Sequence, residues 1–416
     1  MQVARALLVV TVVLAGLVVP VSGAAAASSQ LDAYVNEVVS RNPSLRAQAL
    51  RRDAFQSEAS AADLWPDPAL SVMVDRIPDR GAEMPMIQYQ LSQMIPWPGK
   101  LGLMRSAVER QADAASAEID VRRLALVLSA KRAFFMLVMN ARLREVNGSN
   151  KSLAASVAQT ALTRYATGSG GHHEVARAQV EQTALDVEGL NLSGERVSIV
   201  AMMNALRNRP TATPIEDPGE YESGPPGLSL AVLTEKALRN RPELKGMGAM
   251  QREAQVMGEL ARRERFPDVM ASAWYNQMIG EPDTAGVMLG VTLPIFGATR
   301  QSQRALAFDR RAAGAGEDIT AMKSMIRYEV ADAHRRVETA TRELELLRKV
   351  AVPRAMQSFE SSLTAYMTGT TDIVSVLDSR RAMQSAARAV AEAQVRREIA
   401  LIDLERAVGG PLAEKP

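Results

Sequence analysis

Few residues in this chain have types and spacings suited to chemistry. His172 and His173 are adjacent, and His334 is the third and last histidine among 416 residues. Neighbours on a helix point about 100° apart, so this pair cannot chelate an ion by itself, and a solvated turn is expected instead of a metal site. The chain has no cysteine, which excludes a disulfide framework, thiolate catalysis, Cys-ligated zinc and a cysteine-linked lipid anchor. Gly168-Ser169-Gly170-Gly171 lacks the preceding strand and following Lys-Ser/Thr of a phosphate loop. No nucleophile–base arrangement is evident, so neither an enzyme nor a bound cofactor is predicted. On residue type alone, Glu174 and Asp378 read as solvated helix-face charges. Gly168 and Gly369 read as left-handed caps that end helices.

These residues must be held by long helices. Lys and Arg number 49 against 47 Asp and Glu, a net charge of +2 that argues against a nucleic-acid binder. Aromatic residues make up 4%, and Ala, Leu, Val and Met supply the apolar content, a mixture suited to helices packed through small aliphatic side chains. Residues 1–27 read as a secretory signal peptide: Arg5, an apolar run from Ala6 to Val19, breakers at Pro20 and Gly23, and a small-residue site at Ala25–Ala27. That run is shorter than the ~20 residues of a membrane-spanning helix.

The remaining chain repeats itself. Arg41-Asn42-Pro43 recurs as Asn240-Arg241-Pro242, Trp65-Pro66-Asp67 as Phe266-Pro267-Asp268, Ile95-Pro96-Trp97-Pro98-Gly99 as Leu293-Pro294-Ile295-Phe296-Gly297, and Tyr165-Ala166-Thr167-Gly168 as Tyr366-Met367-Thr368-Gly369. All four keep their order and a spacing of about 200 residues, the mark of a head-to-tail duplication. The predicted organisation is a first repeat over 28–207, a Pro/Gly-rich linker over 208–227, a second repeat over 228–410 and a tail over 411–416. Each repeat reads as helix, two strands, long helix, turn, helix. Ile326, Val330, Ala333, Val337, Ala340, Leu344 and Leu347 form a coiled-coil seam, with a shorter one at Val127, Ala130, Phe134, Leu137 and Ala141. Helices over 99–165 and 297–366 would each reach roughly 100 Å. Pro353 is expected to kink the second or end a segment of it.

Four short segments, 68–77, 86–95, 268–278 and 285–294, have the length of tilted membrane strands. Leu70, Val72 and Val74 alternate with Ser71, Met73 and Asp75; Ile87, Tyr89 and Leu91 with Gln88, Gln90 and Ser92; Val287, Leu289 and Val291 with Met288, Gly290 and Thr292. The third segment is less regular. Such alternation suits a lipid-facing β-barrel, and also a half-buried sheet in a soluble domain. The export signal and the placement of Trp65, Trp97 and Trp274 at strand regions, as in an interfacial aromatic belt, favour the membrane. Four strands cannot close a barrel, and open edges in hydrocarbon are costly, so oligomerisation follows.

The ordered duplication, the Pro-flanked strand pairs, the Gln93-x-Ile-Pro-Trp-Pro-Gly-Lys100 step and the paired Tyr-x-x-Gly tips resemble the TolC outer-membrane factor family, and the 93–100 stretch its heavy-metal efflux branch. The resemblance implies a mainly α fold with membrane β: a homotrimer whose long-helix hairpins form a periplasmic α-barrel and whose strands form a twelve-stranded outer-membrane β-barrel. It implies a passive efflux duct embedded in outer-membrane lipid. Its implied partners are a periplasmic adaptor (membrane fusion) protein and an inner-membrane pump, of which the resistance-nodulation-division type is one candidate. It places the hairpin tips, with Tyr165, Thr167, Gly168, Tyr366, Thr368 and Gly369, at an iris that the adaptor contacts. Glu174 takes the position of an acid bonded to the tyrosine at Tyr366, and Asp378 that of a cation-favouring acidic ring. Ser375 and Thr371 depart from the family's second ring acid and basic lock. The rival readings are a periplasmic coiled-coil adaptor and a structural coiled coil.

Overall fold

The computed structural model describes residues 21–75, 86–219, 221, 229–278, 281–295 and 297–412. The expected signal peptide lies largely outside them, as does the turn at 78–85. The described elements are α1 (Val21–Arg41), α2 (Pro43–Ala62), β1 (Ala69–Asp75), β2 (Met86–Ile95), α3 (Lys100–Ala166), α4 (His172–Leu206), α5 (Leu230–Asn240), α6 (Pro242–Arg263), β3 (Val269–Met278), β4 (Thr284–Val291), α7 (Gly297–Leu346), a π-turn (Leu347–Ala351), α8 (Val352–Met367) and α9 (Ile373–Val408).

Proline explains three of the breaks. Pro43 and Pro242 lack the N–H that would continue the preceding helix, so α1 gives way to α2 and α5 to α6. The residue before each proline is then free to bond elsewhere. Asn42 Nδ2 donates to Leu206 O at 2.8 Å, at the end of α4, and Arg241 Nη1 to Arg406 O at 3.0 Å, near the end of α9. The same corner is thus built twice. At the second, Gly409 has φ +81°, and a Cβ there would stand 3.1 Å from the Arg241 backbone. Pro353 ends a segment as expected: the π-turn directly precedes it and absorbs the displaced helical bonding.

The chain divides into two compact units that do not follow the repeats, because the long helices α3 and α7 contribute to both. One unit contains Met1–Pro43, Arg122–Arg241 and Ile326–Pro416. Its core is heptad packing: Ala130, Phe134 and Leu137 of α3 and Ile326, Val330, Ala333, Val337, Ala340 and Leu344 of α7 are buried. Lys131 and Arg132 of α3 pair with Glu405 and Asp403 of α9. Helix α4 has two apolar seams. Val175, Ala178, Leu185, Leu192, Ile199 and Met203 are buried, whereas Val180, Val187, Leu190 and Val197, also at heptad spacing, are exposed. The predicted linker is pinned where it is described, since Asp217 accepts from Arg144 and from Arg196 at 2.8 Å.

The second unit contains Ser44–Val121 and Pro242–Met325. Its sheet is antiparallel, in the order β1-β2-β3-β4. The registers run from Ala69↔Ser92 to Asp75↔Met86, from Met86↔Met278 to Ile95↔Val269, and from Val269↔Val291 to Asn276↔Thr284. Met270 and Gly290 are the second-repeat equivalents of Ala69 and Ser92, and they too are directly opposed. The two hairpins therefore share one register.

Candidate functional site

Two constructions bring the candidate side chains together, one in each unit. The first is the pair of hairpin tips. Helix α3 ends in a Schellman turn: Gly168 adopts φ +74°, its N–H reaches Tyr165 O, and Ser169 N reaches Arg164 O. Helix α8 ends identically through Gly369 at φ +79°, with bonds to Tyr366 O and Ala365 O. Thr167 and Thr368 each bond back to the carbonyl four residues earlier and reach the hydroxyl two residues on.

The two tyrosines then diverge. Tyr165 is half exposed and meets His172 edge-on at 5.6 Å, whereas Tyr366 is fully buried among Val157, Ala161, Val175, Phe359 and Ile373. A buried hydroxyl requires a partner. Tyr366 donates to Glu174 Oε2 at 2.8 Å. The carboxylate fits because residue 170 is glycine, where a Cβ would come within 2.8 Å of the same oxygen. Burial, then the bond to Glu174 and its negative charge, pushes the Tyr366 phenol well above the ordinary tyrosine range. The structure thus brings together Glu174 and Tyr366.

It also reveals a cation absent from the sequence-based expectation. The guanidinium of Arg164 lies over the Tyr366 ring, 4.5 Å from its centroid, and donates to Tyr366 O and to Ser169 O. One arginine of the first hairpin thereby grips the tip of the second, and a residue just before a Schellman glycine gives no local hint of this. Asp378 is largely exposed and 3.6 Å from Arg381. Ser375 donates through its N–H and hydroxyl to Asp372, the cap of α9, and these bonds hold the Asp372 carboxyl below the usual range. Among the described residues no cluster of His, Asp and Glu has metal-binding spacing.

Farther along the same helices, Glu181 and Arg380 are buried and ion-paired, and Arg381 reaches Glu181 Oε2 at 2.7 Å. Burial opposes the Glu181 charge, yet the two arginines outweigh it and the carboxyl is lowered. Glu188 follows with bonds to Gln384 and Arg388. Glu174, Glu181 and Glu188 are at heptad spacing, a signal by which the sequence could have disclosed this ladder.

The second construction is the sheet. Side chains alternate across a strand, so the registers sort residues onto two faces. Leu70, Val72 and Val74 share one face with Ile87, Tyr89, Leu91, Tyr275, Val287, Leu289 and Val291. The opposite face carries Ser71, Gln88, Gln90, Ser92, Ser272, Asn276 and Thr284. Leu70 is 70% exposed, Val287 81% and Leu289 78%, so among the described residues nothing covers these side chains.

The three tryptophans have different surroundings. Trp274 lies on the polar face, between Gln90 and Gly286, whose absent Cβ admits the indole. The irregular pattern of β3 had hidden that parity, and the aromatics on the apolar face are Tyr89 and Tyr275. Trp97 stacks on Phe266 at 5.2 Å and its backbone N–H donates to Asp268 Oδ1 at 2.7 Å. Lys100 is buried there, bonded to Asp268 Oδ1 at 2.8 Å and Phe266 O at 2.9 Å. The Ile-Pro-Trp-Pro-Gly-Lys step of the first repeat thus clasps the Phe-Pro-Asp step of the second. Trp65 is exposed.

Duplicated helical hairpins and an open antiparallel sheet with an exposed apolar face suit a membrane channel subunit. Residues 34–208 and 233–410 match the outer membrane efflux protein family model, and the chain belongs to that family. It is similar to the cobalt-zinc-cadmium resistance protein CzcC of Cupriavidus metallidurans, 23% identical over 360 residues that cover 86% of this chain and 85% of the relative. Its fold is similar to that of the outer membrane protein VceC of Vibrio cholerae (TM-score 0.76, 18% identity, 92% of this chain and 97% of the other). It also resembles CusC, whose crystal structures concern transmembrane channel formation (TM-score 0.77, 16% identity, 92% of each chain). The protein is an outer-membrane efflux channel component that reaches into the periplasm, and it is not an enzyme.

Proposed function

We propose that three copies of this chain close one duct, gated at the hairpin tips and serving a tripartite efflux system of the heavy-metal branch. The observation that carries the reading is the open four-stranded sheet, apolar on one face, with β1 and β4 as its edges. In hydrocarbon each unpaired edge group costs several kcal/mol, and only closure removes the edges. The exposed heptad seam of α4 supports the same conclusion, because a helix with two opposite apolar seams packs between two neighbours. A periplasmic adaptor docks at the tips, and an inner-membrane pump supplies the energy. The Glu174–Tyr366 bond and the Arg164 grip hold the tips closed, and Asp378, one per chain, lines the constriction.

The duplication specifies how copies meet. Leu289 and Val72 are the equivalents of Leu91 and Ala273, which are directly opposed within the chain. The seam between copies therefore sets Leu289 against Val72, Val287 against Val74 and Val291 against Leu70, apolar against apolar. A one-residue slip would set apolar against polar. Because the chain has no cysteine, Val72→Cys/Leu289→Cys is a clean probe. Mild oxidation of membranes should yield covalent dimers and trimers, whereas Ser71→Cys/Leu289→Cys should not cross-link. A protein that stays monomeric under native conditions overturns the trimeric duct.

A further inference from the structure

The registers sort the strand methionines without exception. Met73, Met86, Met94, Met270, Met278 and Met288 all lie on the polar face, and the apolar face has none. Conversely, the Leu, Ile and Val of these strands lie on the apolar face. Methionine used as a generic hydrophobe would share the face of the branched aliphatics. What separates it from them is its thioether, a soft and polarisable donor.

The arrangement is also specific. Met86 is directly opposite Met278, and Met94 is directly opposite Met270. Side chains opposed across strands stand about 5 Å apart, and diagonal neighbours remain within reach of a long flexible side chain. Met288, opposite Ser272, is diagonal to Met270, and Met73, opposite Gln88, is diagonal to Met86. The sheet therefore presents two trios, Met94/Met270/Met288 at one end and Met73/Met86/Met278 at the other. Met73, Met94, Met270 and Met288 are exposed, and Asp75 stands opposite Met86.

We infer that the polar face of the sheet is a thioether-lined path that binds soft monovalent cations of the copper(I) and silver(I) class, one per methionine trio. Uncharged sulfur donors bind such ions and discriminate against zinc and cobalt, which prefer imidazole, carboxylate or thiolate. Neutral ligands on an open face hold an ion loosely enough to release it, as a conduction path requires. The inference rests on the closed-barrel reading, which turns this face toward the lumen.

The test uses the full-length protein in detergent, silver nitrate in chloride-free buffer, gel filtration and metal counting by mass spectrometry. Without cysteine there are no thiolates to compete for silver. Replacing either trio with leucine should remove about half of the silver that depends on this face, and replacing all six should lower retention by several-fold. X-ray absorption of the wild-type complex should show sulfur ligation that the six-leucine variant loses. Zinc retention should not change. If the six-leucine variant conducts in planar bilayers yet keeps wild-type silver, the inference is overturned and the channel reading survives. If the Val72→Cys/Leu289→Cys variant does not cross-link and the wild-type protein does not conduct, the lumen assignment fails and the inference with it.

Discussion

At the residue scale, the proposed gate rests on one buried hydroxyl. Tyr366 has no access to water, so its bond to Glu174 has no solvent substitute. Hydrogen bonds to charged groups contribute about 1.5–3 kcal/mol. Tyr366→Phe removes this one while keeping the ring beneath Arg164. Its closed-state conductance in planar bilayers should rise at least several-fold, and Glu174→Ala should do the same. Conductance equal to wild type in both variants would dissociate this bond from gating. Sequence equivalence offered Tyr165 and Tyr366 as a matched pair, yet only one is buried. Neighbours from other helices, not the local motif, decide which tyrosine is buried.

At the scale of elements, α4 and α9 are joined by a ladder whose buried rung is Glu181–Arg380. Removing one member of a buried ion pair strands the other, at a cost of about 3–5 kcal/mol. Glu181→Ala should therefore lower the melting temperature markedly, and Glu181→Gln less, since an amide can still accept from Arg380. The pH dependence has a definite sign. Because the folded carboxyl lies below its unfolded value of about 4.3, the pair's contribution is complete above that pH and declines as pH falls through the lowered folded value. Melting curves of wild type and Glu181→Gln should converge on acidification below about pH 4. A gap that stays constant down to pH 3 would show that the pair contributes no charge-dependent stability.

For the whole molecule, the duplication supplies a rule for assembly. Both hairpins share a register, and in the proposed trimer the seam between them would be the template for the seam between chains. Under the proposed closure by three copies, the constriction would carry one Asp378 from each chain. A carboxylate ring in a narrow aqueous pore favours cations over anions. Asp378→Asn should shift the reversal potential in a salt gradient toward zero, and an unchanged value would exclude Asp378 from the constriction. Its exposure and long contact with Arg381 leave the carboxylate accessible to ions.

Much of this protein is written in local periodicity. Heptad seams, proline breaks, left-handed glycines and two-residue alternation each concern neighbours in sequence, so helices, strands and the repeat were legible before any coordinates. What only the tertiary structure decided involves partners 168 to 202 residues apart: Arg164 on Tyr366, Arg380 on Glu181, Lys100 on Asp268. Strand parity belongs with these. The composition of β3 left its faces ambiguous, and pairing with β2 and β4 placed Trp274 and the methionines on the polar side. A local pattern records which side of an element is apolar, but the identity of the group across the gap depends on how the chain folds back.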